Sequence, residues 1–127
     1  MAAVFLAAVL AFFGGQTAPV VTVWGGDHIN MEITDAAARF EFDCATGAVS
    51  AAIRPDAKGA FKAEGTFLPE RSGPSRDDGK ARGLKATYSG TIIKDLMTLR
   101  VVVDGQDPKG TTYQLARGQH GNLRKCR

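Results

Sequence analysis

The chain of 127 residues is short of the residue types that anchor most recognisable chemistry: two cysteines, two histidines and one tryptophan. Neither cysteine has a Cys or His within four residues, so no zinc-type ligand spacing exists. No H-E-x-x-H, P-loop or G-x-G-x-x-G occurs. Ser89 lies in Tyr-Ser-Gly without the spaced glycine of a nucleophile elbow. No apolar run approaches the roughly 20 residues that a spanning helix needs. Charge of one sign is also lacking, with 16 basic and 13 acidic side chains giving a net charge of +3. Nucleic-acid binding is not expected, because the basic residues are dispersed and few aromatics stand among them. The composition excludes no small binding module, and no cofactor, metal or catalytic residue is predicted.

What is present begins with an uncharged apolar run at residues 4–13 (VFLAAVLAFF), followed by GGQTAP. Its length suits the apolar core of an export signal. Residues 1–18 are therefore expected to be a leader, and 19–127 a single domain outside the cytoplasm, periplasmic or extracellular. No Lys or Arg precedes the run, and Pro19 follows the best small residue, Ala18. In that compartment Cys44 and Cys126 read as one disulfide, with free thiols or a catalytic thiol as the other readings. The bridge would close a loop of about 80 residues and contribute roughly 4 kcal/mol by chain entropy.

Beyond the leader, apolar residues alternate with polar ones. Ile29, Met31 and Ile33 share one face, as do Phe40, Phe42 and Cys44. Further alternating sets are Val49, Ala51 and Ile53; Phe61, Ala63 and Phe67; Leu84, Ala86, Tyr88, Gly90 and Ile92; Met97, Leu99, Val101 and Val103; and Tyr113 with Leu115. Leu123 marks the last run. A period of two places each set on one side of a strand. The separators are rich in Gly, Pro and Asp: 45–47, 55–59, 104–110 and 118–121, with Lys94-Asp95 as a two-residue turn. The long charged connection 69–82 (PERSGPSRDDGKAR) is expected to be a surface loop. Residues 35–39 (DAAAR) suffice for one helical turn at most. The chain thus predicts an all-β antiparallel meander of about eight strands. A small closed barrel is the expected form, with a two-sheet sandwich as the alternative.

Four segments, WGGDHINMEITDAAARFEFDCATGAV, GTFLPERSGP, ATYSGTIIKDLMTL and LRKC, together resemble a family of small exported bacterial proteins of uncharacterised function. The likeness covers the chain from about Trp24 to Cys126 and implies location and fold only. The layout is also similar to the calycin-type barrels, the lipocalins and avidins. That resemblance implies a tryptophan on the first strand covered by a basic residue of the last run, here Trp24 with Arg124 or Lys125. Thr22 stands where those barrels carry glycine.

Asp27-His28 precedes the first clear strand, with Glu32, Glu41 and Asp43 near in sequence. A histidine held by a carboxylate is a general-base arrangement, and also a common way to close a turn. Asp27, His28, Tyr88 and Tyr113 are the candidate binding residues. Three functions follow as expectations: a non-enzymatic barrel binding a small apolar ligand or a partner at its open end; a periplasmic inhibitor or envelope-interaction protein acting through the 69–82 loop; and an enzyme using Asp27, His28 and nearby carboxylates. A monomer is expected, with no membrane association once the leader is removed.

Overall fold

A computed structural model describes residues 20–70 and 83–125. The expected leader, the 71–82 part of the long loop and Cys126 lie outside the described residues. Eight antiparallel strands run β1 (Thr22–Gly26), β2 (Ile29–Ile33), β3 (Ala38–Phe42), β4 (Ala45–Val49), β5 (Ala60–Pro69), β6 (Leu84–Ile93), β7 (Leu96–Val103) and β8 (Thr111–Arg117). Each pairs with its neighbour in sequence, and β1 pairs with β8. The sheet is a closed up-and-down barrel. Closure leaves no unpaired edge, which favours it over the sandwich.

Alternation sets the interior. In β3 the pattern buries Ala38, Phe40 and Phe42, and in β7 it buries Met97, Leu99, Val101 and Val103. A barrel of eight strands is just wide enough for side chains to fill. Large and small residues meet across strands to do so. Gly47 is paired with both Phe40 and Phe67, and Gly90 with Phe61. Tyr88 lies flat on Phe40, with centroids 4.2 Å apart, and Phe40 stacks on Phe42. Phe42 then meets Phe67 and Tyr113 in tilted contacts. This aromatic column runs from mid-barrel toward the end that carries the β1–β2, β3–β4, β5–β6 and β7–β8 connections. That end is called the mouth below, and the opposite end the base.

Several boundaries differ from the sequence reading. The first strand is Thr22–Gly26, which the two glycines and Asp27-His28 disguised as a turn. Leu123 starts no strand; its neighbour Asn122 makes one isolated parallel bridge to Asp27. Residues 45–47 are strand, and the β3–β4 turn is Asp43-Cys44. Cys44 is therefore an exposed turn residue, outside the inward row of Phe40 and Phe42. β4 ends at Val49, and Ile53 reaches the core from the connection that follows. Residues 35–37 form no helical turn, because the Thr34 hydroxyl accepts the Ala37 N–H and a tight bend results.

After β8 the chain reverses and runs over the outside of β1 as a strap, residues 118–125. Gly118 N–H donates to the Val23 carbonyl, Asn122 N–H to Gly26, and His28 N–H to the Asn122 carbonyl. Gly25 makes this path feasible, since a Cβ there would overlap the Gln119 carbonyl and the Gly121 nitrogen. Asn30, outward on β2, accepts the Gly121 N–H through its side chain.

Candidate functional site

The two barrel ends differ in chemistry. At the base, Arg117 is the cross-strand partner of Trp24, so both side chains leave the sheet on the same side. The Arg117 guanidinium lies 4.9 Å from the centre of the Trp24 ring, within cation–π range. Its Nε also meets Asp95 Oδ1 at 3.3 Å, and its N–H donates to the Asp95 carbonyl. Trp24 is 2% exposed. The cation over the tryptophan therefore comes from Arg117, where the sequence reading named Arg124. β8 ends at Arg117, so only that residue is in register with Trp24. Arg124 lies at the far end of the strap, and Lys125 beyond it.

At the mouth, the inward residues Phe67, Val101, Val103 and Tyr113 border a cavity of about 150 Å³. Gln106, Asp107, Gly110 and Thr111 complete the lining from the β7–β8 connection and the start of β8. Val101 and Val103 are buried, whereas Phe67 and Tyr113 are half-buried. Burial raises the Tyr113 pKa above the ordinary phenol value, and the Asp43 carboxylate adds to the effect. Tyr88 lies deeper and is fully buried. Its hydroxyl donates to the Thr66 carbonyl at 2.6 Å, and burial pushes its pKa well above that of a free phenol. Tyr88 is thus committed to the core, while Tyr113 faces the mouth.

Asp27 and His28 form the β1–β2 turn on the outer rim. His28 adopts a left-handed backbone, φ 69°, uncommon for a residue with a side chain. The turn aims Nδ1 at Asp43 Oδ2, 2.6 Å away across the β3–β4 turn. The carboxylate that holds His28 is therefore Asp43, while Asp27 accepts a long bond from Asn122 Nδ2 at 3.4 Å. The other Asp43 oxygen accepts the Arg124 N–H at 2.7 Å. That backbone bond is the main cause of its lowered pKa, with His28 assisting. Glu41, one of the carboxylates near His28 in sequence, instead meets Lys125 Nζ at 2.6 Å, with Glu70 3.8 Å from the same nitrogen.

A second depression lies between this turn and the strap. It is an open groove of about 660 Å³ lined by Asp27, His28, Gly121, Asn122, Leu123 and Arg124. Its lining is mostly polar and it is broadly open to water, so it lacks the apolar walls that small-ligand sites share. The smaller mouth cavity carries four apolar or aromatic side chains, Phe67, Val101, Val103 and Tyr113, with polar residues and a glycine making up the rest of its lining. The four candidate binding residues are accordingly split: Asp27 and His28 on the outer rim, Tyr88 in the core, Tyr113 at the mouth. Sequence reasoning missed Phe67, Val101 and Val103 as cavity walls, although their inward phase was legible. It also missed Arg117, whose register with Trp24 has no local signal. Among the described residues no group of His, Cys, Asp and Glu could hold a metal ion, and no helix is long and apolar enough to cross a membrane.

The chain matches no protein-family model, no curated protein and no solved structure.

Proposed function

We propose that this is an exported, non-enzymatic barrel that takes a small ligand into its mouth. The observation that carries the reading is the contrast between the ends: Arg117 lies over Trp24 at the base, while at the mouth Phe67, Val101, Val103 and Tyr113 border a cavity whose other wall is the polar β7–β8 connection. Its size limits the ligand. A space of about 150 Å³ suits one benzene-sized ring or a short aliphatic segment, and pockets for larger molecules run from roughly 300 Å³ upward.

The Cys44–Cys126 disulfide belongs to the same proposal. Arg124 N–H on Asp43 and Lys125 between Glu41 and Glu70 bring the strap to the turn that carries Cys44. No free cysteine occurs among the described residues. A disulfide there fits an oxidising compartment and the apolar run at 4–13. The His28–Asp43 pair serves this strap as a structural clasp.

Titration with benzyl alcohol, followed by backbone amide chemical shifts, tests the mouth. Saturable shifts at Phe67, Gly110, Thr111 and Tyr113 are expected. If benzyl alcohol, benzylamine and benzoate all leave those amides unmoved, the mouth is not a binding site.

A further inference from the structure

Resting on the mouth as the binding site, we infer that its ligand is a protonated organic amine carrying one apolar or aromatic group, and that Asp107 selects it. Three observations converge. First, Asp107 is the one carboxylate in the lining, and no Lys, Arg or His lines the cavity among the described residues. A ligand carboxylate entering there would meet like charge, and an ammonium would meet its complement.

Second, two of the walls are aromatic, Phe67 and Tyr113. A cation within about 6 Å of such a ring is attracted by its π face. An ammonium gains from both features at once, whereas a neutral hydroxyl gains little from either.

Third, the β7–β8 connection holds Asp107 in place before any ligand arrives. Asp107 Oδ1 accepts the Lys109 N–H at 2.9 Å, and its carbonyl accepts the Gly110 N–H at 3.0 Å. Gln106 N–H donates to Val103. Gly105 and Gly110 supply the left-handed backbone that the turns require, φ 80° and 69°. From outside the barrel, Arg100 donates Nε to the Lys109 carbonyl at 2.7 Å and Nη2 to the Pro108 carbonyl at 2.9 Å. The guanidinium donors are thereby engaged by backbone oxygens of the same connection, on the outer side of the barrel. Asp107 Oδ2 has neither a hydrogen bond nor an ion pair among the described residues. Asp107 is an exposed residue of the cavity lining with one oxygen fixed and the other open, and a carboxylate ordered in advance lowers the ordering cost of binding a cation.

The test uses three probes that share one ring: benzylamine, benzyl alcohol and benzoate. Each is titrated into the oxidised full-length chain near neutral pH at low salt, with mouth amide shifts as the readout. Benzylamine should bind tightest and benzoate weakest, about tenfold apart, as expected for one exposed charge contact and one cation–π contact together. Asp107→Asn keeps the oxygen that receives the Lys109 N–H and removes only the charge. In that variant the spread between benzylamine and benzoate should fall to about twofold. Benzyl alcohol or benzoate binding as tightly as benzylamine would overturn the amine assignment while leaving the mouth as a site. A preference that survives Asp107→Asn would overturn the role of Asp107. Silence from all three probes would remove the mouth reading itself.

Discussion

Gly47 and Tyr88 offer the sharpest test of how the interior is filled. Gly47 points inward on β4, and the Tyr88 ring reaches it from β6, over the intervening β5, with its hydroxyl on the Thr66 carbonyl. In an ordinary strand interior, Gly→Ala stabilises by about 0.5–1 kcal/mol. Here the new methyl would overlap the Tyr88 hydroxyl and lie 3.2 Å from both Tyr88 Cζ and the Thr66 oxygen. Tyr88 cannot swing aside, since it is 0% exposed and stacked on Phe40 at 5° between ring planes. Either the hydroxyl loses its bond, which leaves a buried polar group at a cost of about 1–3 kcal/mol, or the ring shifts with overpacking strain of similar size. Gly47→Ala should therefore destabilise by about 1 kcal/mol after the backbone gain is subtracted. Tyr88→Phe alone should cost about 1–2 kcal/mol, mainly the lost hydrogen bond. In the double variant the methyl takes the space the hydroxyl left, so the pair should be no less stable than Tyr88→Phe alone. The expected coupling is about 2 kcal/mol, in favour of the double variant. Urea unfolding followed by fluorescence of the single tryptophan, Trp24, measures all four corners of the cycle. Additivity within about 0.5 kcal/mol would refute the reasoning, as would a Gly47→Ala protein more stable than the parent.

Three further outcomes are expected. Arg117→Gln should lower stability by about 0.5–1 kcal/mol, because the indole loses its cation at a half-exposed site; unchanged unfolding would mean that the base is closed by packing alone. The Asp43 pKa is lowered in the fold, so its contribution is present above the ordinary carboxylate value and is lost as pH falls through the folded value. Asp43→Asn should accordingly flatten the acid limb of the melting-temperature profile, and an identical acid limb would show that the clasp carries no linkage. Reduction should destabilise the protein by roughly 4 kcal/mol if Cys44 and Cys126 are joined, and a melting temperature indifferent to reductant would remove the disulfide.

Much of this barrel was legible because its inner face is written with period two. β2, β3, β6 and β7 show it, and short connections between consecutive strands leave a meander as the simplest path. Two of the misread segments, 25–26 and 47, share one cause, the double meaning of glycine. Gly25 and Gly26 read as loop beside Asp27-His28, yet they are strand residues whose missing side chains let other backbone approach: the strap over Gly25, and the Gln114 carbonyl beside Gly26. Gly47 read as a turn, yet it is the space that Tyr88 fills. Sequence shows that a side chain is absent and does not show what occupies its place. The site was legible to the same degree. Tyr113 was found through its inward phase, whereas His28–Asp43 and Lys125–Glu41 join residues 15 and 84 positions apart through closure of the barrel and its strap.

The difference between the ends also follows from side-chain size, row by row. Toward the base, the inward positions carry Trp24, Ile33, Val49, Phe61 and Ile92, and Ile53 enters from the β4–β5 connection; all of them belong to the core or lie against it. Arg117 then covers the tryptophan. Toward the mouth, small residues hold inward positions: Ala45 is paired with Phe42, Ala86 with Val103, and Thr111 with Val101. Those residues are too short to meet across the barrel, so Phe67 and Tyr113 stay half-buried and the cavity remains between them. The opening therefore comes from the choice of residues at the inward positions of the strands. The polar part of the cavity lining comes largely from the connection that carries Asp107. The conspicuous Asp27-His28 dipeptide stands outside the barrel wall and is bonded to the strap, while plainer residues inside line the mouth cavity.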